Sequence, residues 1–140
     1  MIISYSDMLG AEIGHEEGQI IGRRVLEEVP KIENTFNAEG SFRGIDIDDL
    51  GTYWTSVRPG GVLYGEGRGV LVSTDGQMAT WTAQGLGRYI SARVVRFRGS
   101  AFYRTDSTAS LAFLNNTMAV FEFEIDERGN TSARNWEWEF

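Results

Sequence analysis

Cysteine is absent from the 140-residue chain, which excludes disulfides, thiolate nucleophiles and cysteine-ligated zinc. Histidine occurs once, at position 15. A serine–histidine–aspartate relay would have to pass through His15, and no serine stands in a strand-to-helix elbow, so a solvent-exposed histidine is expected. No run approaches the length of a membrane span. The start, MIISYSDMLGAEIG, has no basic residue and too short an apolar patch for a secretion signal, so a cytoplasmic protein is expected. Positive charge is in deficit: 13 lysines and arginines face 20 acids, a net charge of −7. That balance argues against sequence-blind contact with nucleic acid or with an anionic membrane, both of which need a basic surface.

What is present is glycine, at 17 positions, with aromatics at 12% and only 2 prolines. This is the composition of strands joined by tight turns. Alternating runs at about 18–28, 31–43, 46–57, 61–73, 77–88, 93–105, 117–126 and 131–139 read as eight strands. Pro30, the segment Arg58-Pro59-Gly60-Gly61, Asp75-Gly76 and Arg128-Gly129-Asn130 punctuate them. A short helical turn is expected near 107–114, with Ser107 as its cap. Residues 1–17 read as an N-terminal segment, mobile or briefly helical, and 18–140 as one domain. Short connections dictate an antiparallel meander. Eight long strands close on themselves more readily than they stack as a sandwich, so the fold class is all-β, an antiparallel up-and-down barrel.

A two-residue turn at Asp75-Gly76 pairs Val72 with Ala79, Val70 with Trp81 and Tyr64 with Gly87, setting large residues against small ones. A slip of one residue would pair Gly65 with Gly85 and Gly67 with Ala83, leaving bare backbone, so the first register is expected. In the closing stretch VFEFEIDERGNTSARNWEWEF, pairing Asp126 with Thr131 puts Phe121, Phe123, Ile125, Trp136 and Trp138 on one face. Glu122, Glu124, Asn135, Glu137 and Glu139 then take the other. The neighbouring strand offers Arg96 and Arg98 to the acids and Phe97 to the rings. The expectation is an outward ion-pair ladder around an aromatic core.

The alternative is a polar interior, in which Glu66 or Glu122, paired with Arg68 or Arg96, has a raised pKa and works as a general acid or base. In the apolar version Tyr53, Trp54, Tyr64, Trp81 and Tyr103 are the candidate lining of a ligand pocket. VLYGEGRGVLV, residues 62–72, lacks the dinucleotide spacing and a following helix and reads as a glycine-kinked strand. IDIDDLG, residues 45–51, lacks the glycine and terminal glutamate of a calcium loop and reads as a solvated bend. No cofactor and no metal are expected. Asn115-Asn116-Thr117 and Asn130-Thr131-Ser132 match the glycosylation pattern, which has meaning only for a secreted chain.

The segments GTYWTSVRPGGVLYGEGRGVLVSTDGQMATWTAQGLGR, RGSAFYRT, LAFLNNTMAVFEFE and WEWEF, in that order, resemble a family of small uncharacterised prokaryotic proteins. In architecture the chain is similar to the calycin-like eight-stranded barrels of the allene oxide cyclase and dirigent group. That similarity implies homo-oligomers holding apolar ligands or reactive intermediates, and it brings no functional residue with it. Three functions are therefore carried forward. The first is a homo-oligomeric barrel binding a small apolar or amphipathic molecule without covalent chemistry. The second is a cofactor-independent isomerase or cyclase built on a buried Glu–Arg pair. The third is a purely structural oligomeric module.

Overall fold

The structure, a computed structural model, describes residues 9–28 and 30–140. Eight strands follow in chain order: β1 Leu9–Glu27, β2 Lys31–Phe42, β3 Ile45–Arg58, β4 Val62–Ser73, β5 Met78–Tyr89, β6 Val95–Arg104, β7 Thr117–Ile125 and β8 Asn130–Trp138. Each pairs antiparallel with the next, and β1 pairs with β8, so the sheet is a closed barrel without edges. β1 begins well before the predicted start near residue 18, which places His15 in a strand; its side chain is nevertheless exposed. Residues 1–8, the rest of the expected N-terminal segment, lie outside the described residues.

Two hairpin registers differ from the sequence reading, and for the same reason. Leu71 faces Ala79 and Gly65 faces Gly85; Ile125 faces Thr131 and Phe121 faces Asn135. Both loops hold three residues, where a two-residue turn was expected at Asp75-Gly76 and the pairing of Asp126 with Thr131 was expected in the last hairpin. Ser73 N–H bonds the Gln77 carbonyl, and Asp126 N–H bonds the Asn130 carbonyl. Gly76 and Gly129 occupy the left-handed position that such loops end on, at φ 82° and 79°. The Asp126 carboxylate secures the second loop by accepting from Arg128 N and Asn130 N, both at 2.9 Å. One residue of slip moves a strand's whole pattern to the other face. Trp136 and Trp138 therefore lie outside, and Asn135 lies inside.

The rejected register works because small residues meet rings arriving from other strands. A side chain on Gly69 would overlap the Trp81 indole, and one on Gly87 the Phe97 ring. Elsewhere backbone meets backbone. A Cβ on Gly99 would overlap the Gln84 carbonyl oxygen, and one on Gly40 that of His15. These contacts permit the tight coiling that closure of an eight-stranded barrel requires.

One end is plugged by the β6–β7 connection. Its single 3₁₀ turn, Ala112–Leu114, seats Leu111 and Leu114 at 0% exposure among Ile13, Phe42, Ile47, Leu71 and Tyr103. Burial of each leucine contributes about 1.5–3 kcal/mol. Ser107 does not cap the turn; its hydroxyl accepts from Ala109 N. The connection is pinned by Thr105 Oγ1 to the Met78 carbonyl at 2.6 Å and by Ser110 Oγ to Asp75 at 2.9 Å.

Gly99→Ala should therefore lose at least ~2 kcal/mol in urea unfolding, because its neighbour is backbone and cannot give way. Gly22→Ala, with no atom within 4 Å of the new Cβ, should stay within ~1 kcal/mol of the parent, on the stabilising side. Equal losses at both positions would refute the close-approach account of Gly99.

Candidate functional site

Inside the barrel, small residues leave room that large ones do not fill. Ala83, Ala101 and Ala119 face one another across β5, β6 and β7, and Gly65, Gly85 and Gly99 form a second small row. The cavity next to them measures about 80 Å³, the share of on the order of three liquid waters. Phe36, Tyr53, Trp81, Phe97, Phe121 and Phe123 supply most of its wall. The rings are mutually packed, with centroids 5.3 Å apart for Phe36–Phe123 and 5.5 Å for Tyr53–Phe123.

Two buried acids break this apolar surface. Glu16 of β1 sits between Gly40 of β2 and Ala133 of β8, neighbours small enough to leave its side chain a place inside, and it is 6% exposed. Asp49 of β3 sits between Ala38 and Leu71 and is 3% exposed. The two carboxyls are close enough to influence each other's ionisation. Burial pushes the Glu16 carboxyl well above its ordinary range, and the Asp49 charge pushes it further. Asp49 is also raised by burial, with the Trp81 indole N–H acting against the rise. Burial and mutual repulsion thus disfavour the state in which both acids are ionised.

Trp81 reaches Asp49 by lying across a glycine track. Its ring passes over Gly69 and Gly67 of β4 to Gly51 of β3, and its Nε1–H donates to Asp49 Oδ1 at 2.8 Å. Tyr103, buried and kept neutral by that burial and by the two acids, donates to Asn135 Oδ1 at 3.1 Å. Asn34 is also buried. Against this economy one atom stands out: Glu16 Oε2 is buried with no N–H or O–H to satisfy it.

The sequence-derived candidates divide sharply. Tyr53, Trp81 and Tyr103 line the cavity. Trp54 and Tyr64 occupy the outer face instead, with ring centroids 5.6 Å apart; Lys31 Nζ lies 4.1 Å from the Trp54 ring, and Tyr64 donates to Glu66 Oε1 at 2.6 Å. They point outward because strand alternation gives the inner positions to Tyr53 and Gly65. Of the four acid–base candidates Glu66 borders the cavity while remaining exposed to solvent, and the other three lie on the outer face. Glu66 and Arg68 are exposed; Arg96 holds Glu124 at 2.9 Å and Arg98 holds Glu122 at 3.2 Å in the expected ladder. No Glu–Arg pair occupies the lumen among the described residues.

The lumen's acids were hidden for different reasons. IDIDDLG is part of β3, not a solvated bend: Asp46 and Asp48 face water, and Asp49 takes the inner phase shared by Ile45, Ile47 and Gly51. That phase was readable in the sequence. Glu16 follows two register shifts against β8, between Leu9 and Glu12 and between Glu12 and Gly14, which erase the alternation that would have exposed it. Among the described residues no group of three or more histidine, aspartate or glutamate side chains is placed to hold a metal, and no helix is long and apolar enough to cross a membrane.

No protein-family model and no curated protein matches the sequence. Solved structures do match the fold. A conserved protein of unknown function from Rhodopseudomonas palustris superposes with a TM-score of 0.75 at 13% identity, covering 92% of this chain and 97% of its own. One of unknown function from Clostridium acetobutylicum gives 0.77 at 13%, covering 91% and 96%. A β-barrel-like protein from Acinetobacter baumannii gives 0.73 at 13%, covering 92% and 94%. The chain thus shares the barrel fold of uncharacterised prokaryotic proteins.

The buried carboxyls should shape the pH dependence of stability. A carboxyl whose pKa is raised on folding favours the native state below its unfolded value, here 4.5 for Glu16, and loses that contribution as pH climbs through the raised native value. The melting temperature is expected to fall as pH rises above 4.5 across that interval. Glu16→Gln, which keeps the shape and removes the titration, should flatten the slope and raise stability at neutral pH. An unchanged slope would show that Glu16 is not desolvated.

Proposed function

We propose that the barrel binds a small, predominantly apolar molecule in its lumen, with the molecule's polar end at Glu16 and Asp49. The observation that carries this reading is the ring-lined cavity of about 80 Å³, bordered by Glu16, whose Oε2 is buried beside it without a hydrogen-bond partner. An unpartnered buried polar atom costs about 1–3 kcal/mol, and a ligand donor would recover that cost. The cavity's size limits the occupant to a few heavy atoms, or to a larger molecule only if the rings move aside.

A second reading is favoured by the carboxyl pair itself. With one acid protonated and one ionised, Asp49 would remove a proton from carbon beside a carbonyl while Glu16 gives its own proton to the substrate elsewhere. Proton exchange between the two neighbouring acids would then return the proton to Glu16. This supports an isomerase without a cofactor, built on a Glu–Asp pair rather than on Glu66 or Glu122.

Xenon under pressure is a suitable probe of the lumen, since apolar cavities of this order take it up. It should perturb the methyl resonances of Ala101 and Ala133. Ala101→Leu, which fills the space from the wall, should remain folded by circular dichroism and abolish the perturbation. If neither xenon nor any copurifying molecule, sought by native mass spectrometry, occupies the parent protein, lumen binding is wrong.

A further inference from the structure

The geometry points to a small organic cation, a primary or secondary alkylammonium, as the class of molecule this lumen accepts, held by its N–H groups on Glu16 and Asp49 with its carbons against Trp81, Phe36 and Phe123. The inference rests on the lumen-binding reading and specifies the ligand's chemistry. Three observations carry it.

The first is charge. Two neighbouring carboxyls, Glu16 and Asp49, are buried against the cavity, and no lysine or arginine is among the residues that line it. Buried charge is ordinarily matched by an opposite one. Among the described residues the outer face pairs its charges with seven lysine or arginine bridges, among them Arg24–Glu33 at 3.1 Å and Arg134–Glu12 at 2.9 Å.

The second is donor count. Asp49 receives one hydrogen bond, from Trp81 at 2.8 Å, and the Tyr103 hydroxyl is engaged with Asn135 rather than with the acids. Glu16 Oε2 receives none. Acceptors in excess of donors select a ligand that brings several N–H groups. A carboxylate or phosphate would add acceptors and charge of the wrong sign.

The third is the wall. Aromatic faces carry negative quadrupole potential and attract cations, more strongly where water is excluded. Aliphatic packing around the acids would have favoured a neutral occupant equally well. Rings make a charged one the better match, and the small volume restricts its carbon skeleton.

Three probes of the same size separate the alternatives: n-propylammonium, 1-propanol and propanoate, titrated against the full chain. Binding is followed at the Trp81 indole N–H resonance, which reports on Asp49 directly. Propylammonium should bind at least tenfold more tightly than the other two. Glu16→Gln and Asp49→Asn, both close to isosteric, should each weaken propylammonium tenfold or more while leaving 1-propanol within about threefold, because each replaces an accepting carboxyl oxygen with an amide N–H that cannot receive the ammonium. Equal affinity for 1-propanol would overturn the cation assignment and leave lumen binding standing. Tighter binding of propanoate would overturn it as well. If none of the three shifts the Trp81 resonance, the cation assignment falls, and the xenon measurement decides separately whether the lumen is a binding site at all.

Discussion

Close approach of one strand to the next, with no side chain between, is the constraint on which this molecule turns. Gly40 lies against the His15 carbonyl and Gly99 against the Gln84 carbonyl at distances no other residue tolerates. Coiling of that degree lets long strands close around a narrow lumen, and closure removes every sheet edge. The same device sets the interior. Glycines at 51, 67 and 69 lay out a flat track for the Trp81 ring, and only along that track does its indole N–H reach an aspartate two strands away. Glycine at 40 opens the place that Glu16 occupies. The fold's curvature and its one unusual chemical feature thus arise from the same residue type.

The barrel treats its acids in two ways, and the difference is solvent. On the outer face Arg98 and Glu122, 66% and 31% exposed, meet at 3.2 Å. Such pairs contribute about 0–1 kcal/mol each, and their value lies in keeping an acidic surface in order. Inside, the same carboxyl chemistry has no guanidinium or ammonium among the residues that line the cavity. Burial then dominates and pushes both carboxyls up, so that double ionisation is disfavoured. That site costs stability at neutral pH. A sequence shaped for stability alone would place leucine or phenylalanine there, as it does a layer below at Phe42, Ile47 and Leu71.

The architecture was legible from the sequence to a considerable depth: strand number, antiparallel order, closure and the arginine–glutamate ladder all follow from alternation and turn chemistry. What misled was loop length. Asp75-Gly76 suits a two-residue turn and Arg128-Gly129-Asn130 a turn one residue later than the observed one, but Gly76 and Gly129 in the left-handed position each close a three-residue loop. One residue of difference reversed the faces of Trp136 and Asn135. The site was less legible than the fold. Glu66 and Glu122 stood out because they alternate cleanly with rings, and that regularity is the mark of an outward residue. Asp49 carried a usable signal, an acid in the phase of isoleucines. Glu16 carried none, because β1 is bulged just before it and its partners on β2 and β8 are remote in sequence.

Container and reaction chamber are less opposed than the sequence made them. An apolar lumen without titratable groups could only hold its contents, and one lined with paired arginines and glutamates would have its charges fully engaged. This barrel has an aromatic-rich wall with Glu16 and Asp49 buried in it and Tyr103 donating to Asn135 among the same lining residues. On the reading proposed above, such a pair would hold a donor-rich guest or exchange a proton with a suitable carbon acid, since burial raises the Glu16 pKa above that of an ordinary carboxylic acid. Which of the two would occur depends on the guest. A cation that neutralises the pair would lower its basicity and stay intact, whereas a neutral carbonyl compound would leave the pair free to act as a base. On that reading the chemistry of the occupant would decide between storage and catalysis in one unaltered scaffold.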